Sequence, residues 1–448
     1  MSTRRHFLSA TAGATALAPL LRSQTDAVKP KSANDLIQIA LIGCGGMGQN
    51  DARSSVASGM TKVVAACDCY DGRLQHMKEQ YGADIFTTKD YTEILARNDI
   101  DAVLIGTPDH WHQKVTVDAL RSKKDVYCEK PMVQHVEDGQ AVVAAQKETK
   151  QILQIGSQRV SSIVYKKAQE LYRAGAIGEL NMVEAWWDRN SAVGAWEYTV
   201  PPDASTATCD WNTFQGRAPK TEWDPHRFFR WRCYRDYGTG VAGDLFVHLF
   251  SGLHFITGAI GPTRIFSTGG LRFWKDGRNV PDVLFGAFDY PKTVHHPAFN
   301  LILRVNFVSG AGENYGLRMT GSKGIMMVGD DVRLSTPPPQ KAPGYTIGTF
   351  SEPMQKAFLA HYHERYPQTA SPVASLSDST EQVFSPPPKY SDHLDHHRNF
   401  ALAIRSRKPV TEDAVFGLRA AGPALLANLS YFENRIVEWD PSTMSVKA

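Results

Sequence analysis

From Leu36 onward, short apolar runs alternate with longer stretches whose apolar residues recur every three or four positions. LIQIALI (36–42), KVVAACD (62–68), DAVLIGTP (101–108), DVYCEKP (125–131) and QILQIGS (151–157) are almost continuously apolar until their last residues. Runs of this kind fit strands buried on both faces, and intervening helices imply right-handed crossovers into a parallel sheet. Past residue 156 the texture changes. A helical stretch from Val164 to Arg173 leads through GAIGEL into the strand LNMVEAWWDRN (180–190), with further strands expected at 262–268, 283–289, 299–308, 314–320 and 324–328. Their alternation and glycine-rich turns predict a largely antiparallel sheet, open on one face. Proline-rich segments at 337–343 and 385–390 read as surface connections. Helical periodicity from Asp392 to Asn434 precedes a last strand in RIVEWDP (435–441). The fold class expected is α/β: a dinucleotide-binding domain over 34–157, then an α/β domain over 158–448 with a large, mostly antiparallel open sheet and terminal helices.

The first 33 residues stand apart. Arg4 and Arg5 precede Phe7-Leu8 and a small, apolar run from Ala10 to Leu21, the pattern of a twin-arginine export signal. The run is too short and too rich in Ala and Thr for a stable membrane span. Export machinery of that kind carries folded proteins, so a periplasmic location is expected. The 448 residues fit two or three domains. With 49 basic and 46 acidic side chains and no basic cluster interleaved with aromatics, no nucleic-acid partner is expected. Six cysteines make no disulfide framework. Cys44, Cys67, Cys69 and Cys128 sit in or beside strand runs as small hydrophobes, which leaves Cys209 and Cys233 as a pair that an oxidising compartment could join.

The first strand ends in Gly43-Cys44-Gly45-Gly46-Met47-Gly48. A Gly-x-Gly-x-x-Gly between strand and helix, with Asp68 about twenty residues further on, is the signature of a dinucleotide site. Gly43 allows the tight turn, Gly45 the approach of a pyrophosphate and Gly48 close helix–strand packing. Gly46 and Met47 open the helix, whose free N–H groups and dipole favour phosphate. Asp68 would bind ribose hydroxyls and repel a 2′-phosphate, so NAD is expected over NADP; Arg73 nearby weakens that preference. Ligands sit beyond the carboxyl ends of such strands, where Thr107, Pro108 and His110 would line the nicotinamide side. The pairs His110/His112 and His295/His296 and the run HLDHH (393–397) lack a matching carboxylate or Cys set, so no metal is expected.

Glu129-Lys130-Pro131 closes another strand of the same sheet. A lysine shielded from water beside a cationic nicotinamide has its charged form disfavoured and could exchange a proton near neutral pH. In VAGDLFVHLFSGLHFI (241–256), a buried helix by its pattern, Asp244 and His248 fall on one face, and polar groups there are costly unless paired or functional. The glycine motif, Glu129-Lys130-Pro131, AGAIGEL (174–180), GDLFVHLF (243–250), NFALAIRSRKPV (399–410) and RIVEWDP together resemble the Gfo/Idh/MocA oxidoreductases, especially members with a twin-arginine signal. The resemblance implies a Rossmann domain, hydride exchange between a sugar or cyclitol carbon and NAD(P), and oligomerisation through the open sheet. It also implies Lys130, Asp244 and His248 as the catalytic set, with Ser251 where many relatives carry another Asp. AWWDRN (185–190) and RFFRWRCYRDYGTG (227–240) offer Trp187, Arg189, Trp231 and Arg232 as substrate contacts, flat rings for sugar faces and arginines for hydroxyls or carboxylates.

An exported dehydrogenase meets no pool of free nucleotide, so NAD is expected to be bound tightly before export and restored within the site. Three readings stay open. The favoured one, because Lys130 is kept, is an oxidoreductase in which a sugar donor reduces NAD and a second carbonyl compound reoxidises it. A second is an NAD-dependent glycosidase or 3-keto-sugar lyase using transient oxidation, and the third a non-catalytic sugar-binding protein.

Overall fold

In the computed structural model, which describes residues 35–336, 346–365 and 380–447, the first five apolar runs become strands of one parallel sheet. The arginine pair and the 337–343 segment lie outside the described residues. The strands are β1 (Ile37–Ile42), β2 (Thr61–Cys67), β3 (Phe86–Thr88), β4 (Ala102–Ile105), β5 (Asp125–Glu129) and β6 (Leu153–Gly156), in the order β3-β2-β1-β4-β5-β6. β3 was not expected; its three residues, FTT, are half-buried and carry no apolar run. The order reverses between β1 and β4. There the connections leave to opposite faces and open a crevice beyond the carboxyl ends of the strands.

The second sheet contains β7 (Leu180–Asp188), β8 (Arg264–Gly270), β9 (Val283–Tyr290), β10 (Phe299–Asn306) and β11 (Asn314–Gly321). It continues with β12 (Ile325–Val328), β13 (Val332–Thr336), β14 (Thr380–Phe384), β15 (Val437–Asp440) and β16 (Ser445–Val446). The order is β14-β13-β12-β11-β7-β10-β9-β8-β15-β16, and only β7 and β10 pair in parallel. Sequence pattern located six strands here, β7 to β12, and the last apolar one, β15, but not β13, β14 or β16, which are short and lie towards the sheet's two ends. The strands alternate as one-sided strands must: Leu301, Leu303 and Val305 of β10 face the core, while Ile302 of the same strand, Phe285 of β9 and Phe266 of β8 are exposed. The helices Val247–Thr257 and Ala414–Glu433 cover the inner face.

The core does not divide at residue 157. Phe400, Ala401 and Ala403, from the helix Asp392–Ser406, pack with Ile39, Leu41, Leu104 and Tyr127 of the parallel sheet. The C-terminal part of the chain thereby returns to the dinucleotide domain and brings Asp392 and His393 to the crevice. All six cysteines are free thiols, Cys209 and Cys233 included. No described helix is long and apolar enough to cross a membrane.

Candidate active site

The turn after β1 is built almost without side chains. Gly43 has φ +90°, and a Cβ there would lie 2.5 Å from the backbone nitrogen of Thr107 at the end of β4. A Cβ on Gly48 would lie 2.1 Å from the Gly43 carbonyl oxygen, so both positions need glycine for contact between backbones. Around Gly46 the space is open, with nothing within 4 Å of a Cβ built there. That opening faces the N-terminus of the helix Gly46–Ala57, capped by Gly45, and suits an anionic group that takes the free N–H groups. Asp68 follows β2. Its Oδ2 accepts the Cys44 N–H at 2.7 Å, its Oδ1 accepts the Tyr70 N–H at 2.9 Å, and Arg73 Nη1 stands 3.5 Å from Oδ1. The carboxylate therefore braces the glycine turn and also lines the cleft beside Gly45, Arg73, Thr107 and Pro108.

This cleft joins a second cavity of about 610 Å³, and the two share Gly46, Met47, Arg73 and Arg232 among their lining residues. Lys130, following β5, reaches into the second one. Its Nζ donates to Asp244 Oδ1 at 2.6 Å and to the Asp244 carbonyl oxygen at 2.9 Å, and Arg232 Nε lies 3.5 Å from the same Oδ1. The segment expected as one helix begins instead as a π-turn, Ala242–Phe246, before the helix Val247–Thr257. Such widened turns recur at functional sites, and here the turn carries Asp244. Burial opposes ionisation of Asp244, but the charges of Lys130 and Arg232 outweigh it and hold the carboxyl well below the usual carboxylate range.

His248 lines the same cavity. Its Nδ1 is 3.3 Å from Ser157 Oγ, and its ring centroid is 5.4 Å from that of Trp187. Burial, reinforced by the positive charges of Lys130 and Arg159, pushes the imidazole well below its ordinary value. The ring is neutral at physiological pH and able to accept a proton. Glu129 lines the cavity as well, and burial first, then Asp51 nearby, raises its carboxyl well above the usual range. His254 is bonded to the Tyr290 hydroxyl at 2.8 Å and serves packing. Ser251 donates to the buried Glu412 at 2.8 Å.

Three expectations change. His110 is turned away from the cleft: its ring nitrogens face the carbonyl oxygens of Phe214 (2.8 Å) and Tyr237 (3.3 Å), and burial lowers it to about 4. His112, two residues on, spans the Pro131 carbonyl at 2.7 Å and the Thr107 carbonyl at 3.0 Å, tying the turn after Lys130 to the end of β4. Trp231 lines the glycine-turn cleft rather than the cavity of His248, with the Arg232 guanidinium 4.2 Å from its ring. Lys130 is not a free amine facing the nicotinamide side but is paired with the Asp244 carboxylate. Trp187 and Arg189 do line the cavity of Lys130, Asp244 and His248. The same cavity gathers Asn50, Gln158, Arg159, Tyr198, Asp392 and His393, of which the sequence reading had weighed His393 alone, and only as part of a metal-like run. Arg159 was the most findable, because Ser157–Arg159 follows β6 at the same strand ends that pointed to Thr107 and Lys130.

Residues 37–157 match the family model described as the oxidoreductase family, NAD-binding Rossmann fold, of the Gfo/Idh/MocA type. An inositol 2-dehydrogenase from Salmonella paratyphi B is 32% identical over 168 residues, 37% of this chain and 49% of the relative. The chain thus spans about half the length of the curated relatives it matches. Across both domains, the fold is shared with levoglucosan dehydrogenase solved with NADH and levoglucosan (TM-score 0.63, 14% identity, 90% of this chain and 99% of that one). It is equally shared with an aldose-aldose oxidoreductase from Caulobacter crescentus (TM-score 0.62, 17% identity, 90% and 99%).

Proposed function

We propose that residues 37–157, which match the family model, form the NAD-binding Rossmann module of a Gfo/Idh/MocA oxidoreductase. From that premise we propose that the whole chain is an NAD-dependent oxidoreductase of this family, acting on a hydroxyl-bearing carbon of a sugar or cyclitol. The observation that carries the reading is the joining of two cavities. One is lined by the glycine turn and Asp68, the other by Lys130, Asp244 and His248. The names of the relatives, dehydrogenases of inositol and of levoglucosan, agree with it.

Bound over the glycine turn, the nicotinamide would supply a two-electron hydride acceptor and donor. The residues of the chain do the rest. His248, neutral and hydrogen-bonded to Ser157 through Nδ1, takes the substrate hydroxyl proton on Nε2. Lys130, fixed by Asp244, donates to the oxygen on which negative charge develops. Asp244 offsets the positive charge of Lys130 and Arg232, and its second oxygen is left for a neighbouring hydroxyl. Asp68 disfavours a 2′-phosphate and so selects NAD.

The proposal extends to export through the twin-arginine machinery to the periplasm, with NAD carried as tightly bound cargo and restored by a second carbonyl substrate. Self-association through the exposed face bearing Phe266, Phe285 and Ile302 belongs to the same reading. Mass spectrometry of the small molecules released on heating the purified protein tests it. NAD or NADH at near one per chain is the expected result. A protein that releases no nucleotide, and takes up none when offered NAD, refutes the reading.

A further inference from the structure

We infer that the substrate is an acidic sugar whose oxyanion, a carboxylate or a sulfate ester, is held by Arg159 and Arg189. The inference rests on the reading above for the site, and on separate observations for the charge. Both arginines line the cavity of Lys130 and His248, and both are set in place by aromatic rings. The Arg159 guanidinium lies 4.7 Å from the ring centre of Tyr315 and 5.4 Å from that of Trp187. That of Arg189 lies 5.8 Å from Trp187 and 5.5 Å from Phe307. Trp187 itself stacks on Tyr315 at 5.0 Å and touches His248. The ring is thus packed against Tyr315, His248 and both guanidiniums.

The charges of these arginines are only partly answered by the protein. Arg159 has Asp392 at 3.3 Å through Nη1. Arg189 gives Nη1 to the Gly194 carbonyl at 3.1 Å, its buried Nε has no hydrogen-bond partner, and its nearest carboxylate is Glu313 at 3.7 Å, 64% exposed. Asp244, the other carboxylate close by, is already shared by Lys130 and Arg232, while burial raises the Glu129 carboxyl well above its usual range and opposes its ionisation. The cavity thus keeps an excess of positive charge on its side walls. A neutral polyol would leave that excess unanswered; an oxyanion meets it with charge-assisted, planar pairs. Nucleotide phosphates do not account for it. The open helix N-terminus at Gly46 serves them, whereas Arg159 and Arg189 are stacked against residues of β7, β11 and the loop after β10.

Calorimetric titration of the full-length protein, with and without saturating NADH, would use D-glucuronate, D-glucose 6-sulfate, D-glucuronamide and D-glucose as probes. At least one acid should bind roughly tenfold tighter than glucuronamide and glucose, the span of a charge-assisted contact. That margin should shrink as salt is raised. Comparing glucuronate with the 6-sulfate tells carboxylate from sulfate ester. In Arg189→Met the margin should collapse while NADH affinity is kept, and Arg189→Lys should restore part of it. Neither acid binding tighter than glucuronamide and glucose, no binding of either acid, or an undiminished margin in Arg189→Met overturns the inference. Should the variants fail to fold, the amide comparison and salt dependence of the unsubstituted protein decide. Acid binding without any NADH binding would sink the nucleotide reading and leave this one standing.

Discussion

The two halves of the cleft are built from different materials. The glycine-turn half is made of backbone: positive φ at Gly43, carbonyl and amide groups in contact, and one carboxylate, Asp68, bonded to main-chain N–H groups. The other half is made of charged side chains from distant segments, Lys130 against Asp244, Arg159 against Asp392, His248 against Ser157. The backbone site tolerates no added atom at Gly43 or Gly48, and the charge it has to lose is that of Asp68 beside Arg73. A side-chain site keeps its shape through ion pairs, and each removal exposes a buried charge. The halves should therefore fail in different ways when disturbed.

The largest contrast concerns turnover. His248→Ala should lower substrate-dependent reduction of bound NAD by roughly a thousandfold, the scale of a lost general base, with nucleotide retained. Stopped-flow absorbance of the nicotinamide reads the rate, and released nucleotide reads the occupancy. Unimpaired turnover would show that the proton goes elsewhere. Next comes stability. Asp244→Leu leaves Lys130 and Arg232 facing each other without a carboxylate and should cost about 3 kcal/mol. Lys130→Met should cost less, roughly 2 kcal/mol, because Arg232 still answers Asp244. Urea denaturation that ranks the two the other way round would break the account of the pair.

In the backbone half, Gly48→Val forces a Cβ against the Gly43 carbonyl. It should weaken NADH binding about a hundredfold, near 2.7 kcal/mol, while Lys130, Asp244 and His248 stay in place. Fluorescence titration with NADH checks it.

Protons sharpen the comparison further. His110, His254, His396 and His397 are lowered by burial to about 4, 3, 3 and 3, and His248 lies well below its ordinary value. The fold keeps these rings neutral, whereas the unfolded chain protonates them below about pH 6.5. Their contribution is therefore full above that pH and is lost as pH falls towards the folded values. Asp51, Glu129 and Glu412, raised by burial, act in the opposite sense, since the fold keeps them protonated while the unfolded chain ionises. The imidazoles outnumber them, so Tm should fall between pH 6.5 and 4. Turnover limited by His248 should stay level through pH 6.5 and drop only further down. A Tm that rises on acidification, or a rate that halves near pH 6.5, would mean that these rings are not shielded as described.

The same division explains what the sequence could tell. The glycine turn, Asp68 and the parallel strands were legible because backbone geometry writes itself locally, as glycine at fixed spacing and as apolar runs. Lys130, Asp244 and His248 were legible because each breaks an apolar stretch. Arg159, Asp392 and His393 were not, since an arginine after a strand and an acidic helix start look alike on any surface. Only the return of the helix Asp392–Ser406 to the parallel sheet brings them into the cavity. His110 shows the converse error: it stands at the right strand end, yet the first turn of its helix rotates it towards Phe214 and Tyr237.

The smallest effect tests whether a covalent link ties the halves together. Cys209 sits where they meet, bridged in backbone pairing to Tyr70, and Cys233 is buried behind the ion pairs of Arg278. Both are free thiols, and burial raises Cys209 above its ordinary value and pushes Cys233 up to about 12. A thiol so shifted holds almost no thiolate at neutral pH and does not enter exchange. Adding reductant should then leave Tm unchanged within about a degree, because a disulfide closing a loop of this size would contribute about 3 kcal/mol and its loss would lower Tm by several degrees. Alkylation under native conditions should be slow at both positions and become fast only on unfolding. A clear fall in Tm with reductant would mean that the halves are joined by a bond, and that the hydrogen bonds from Tyr70 to Asp203 and from His110 to the Phe214 carbonyl do not suffice to hold them.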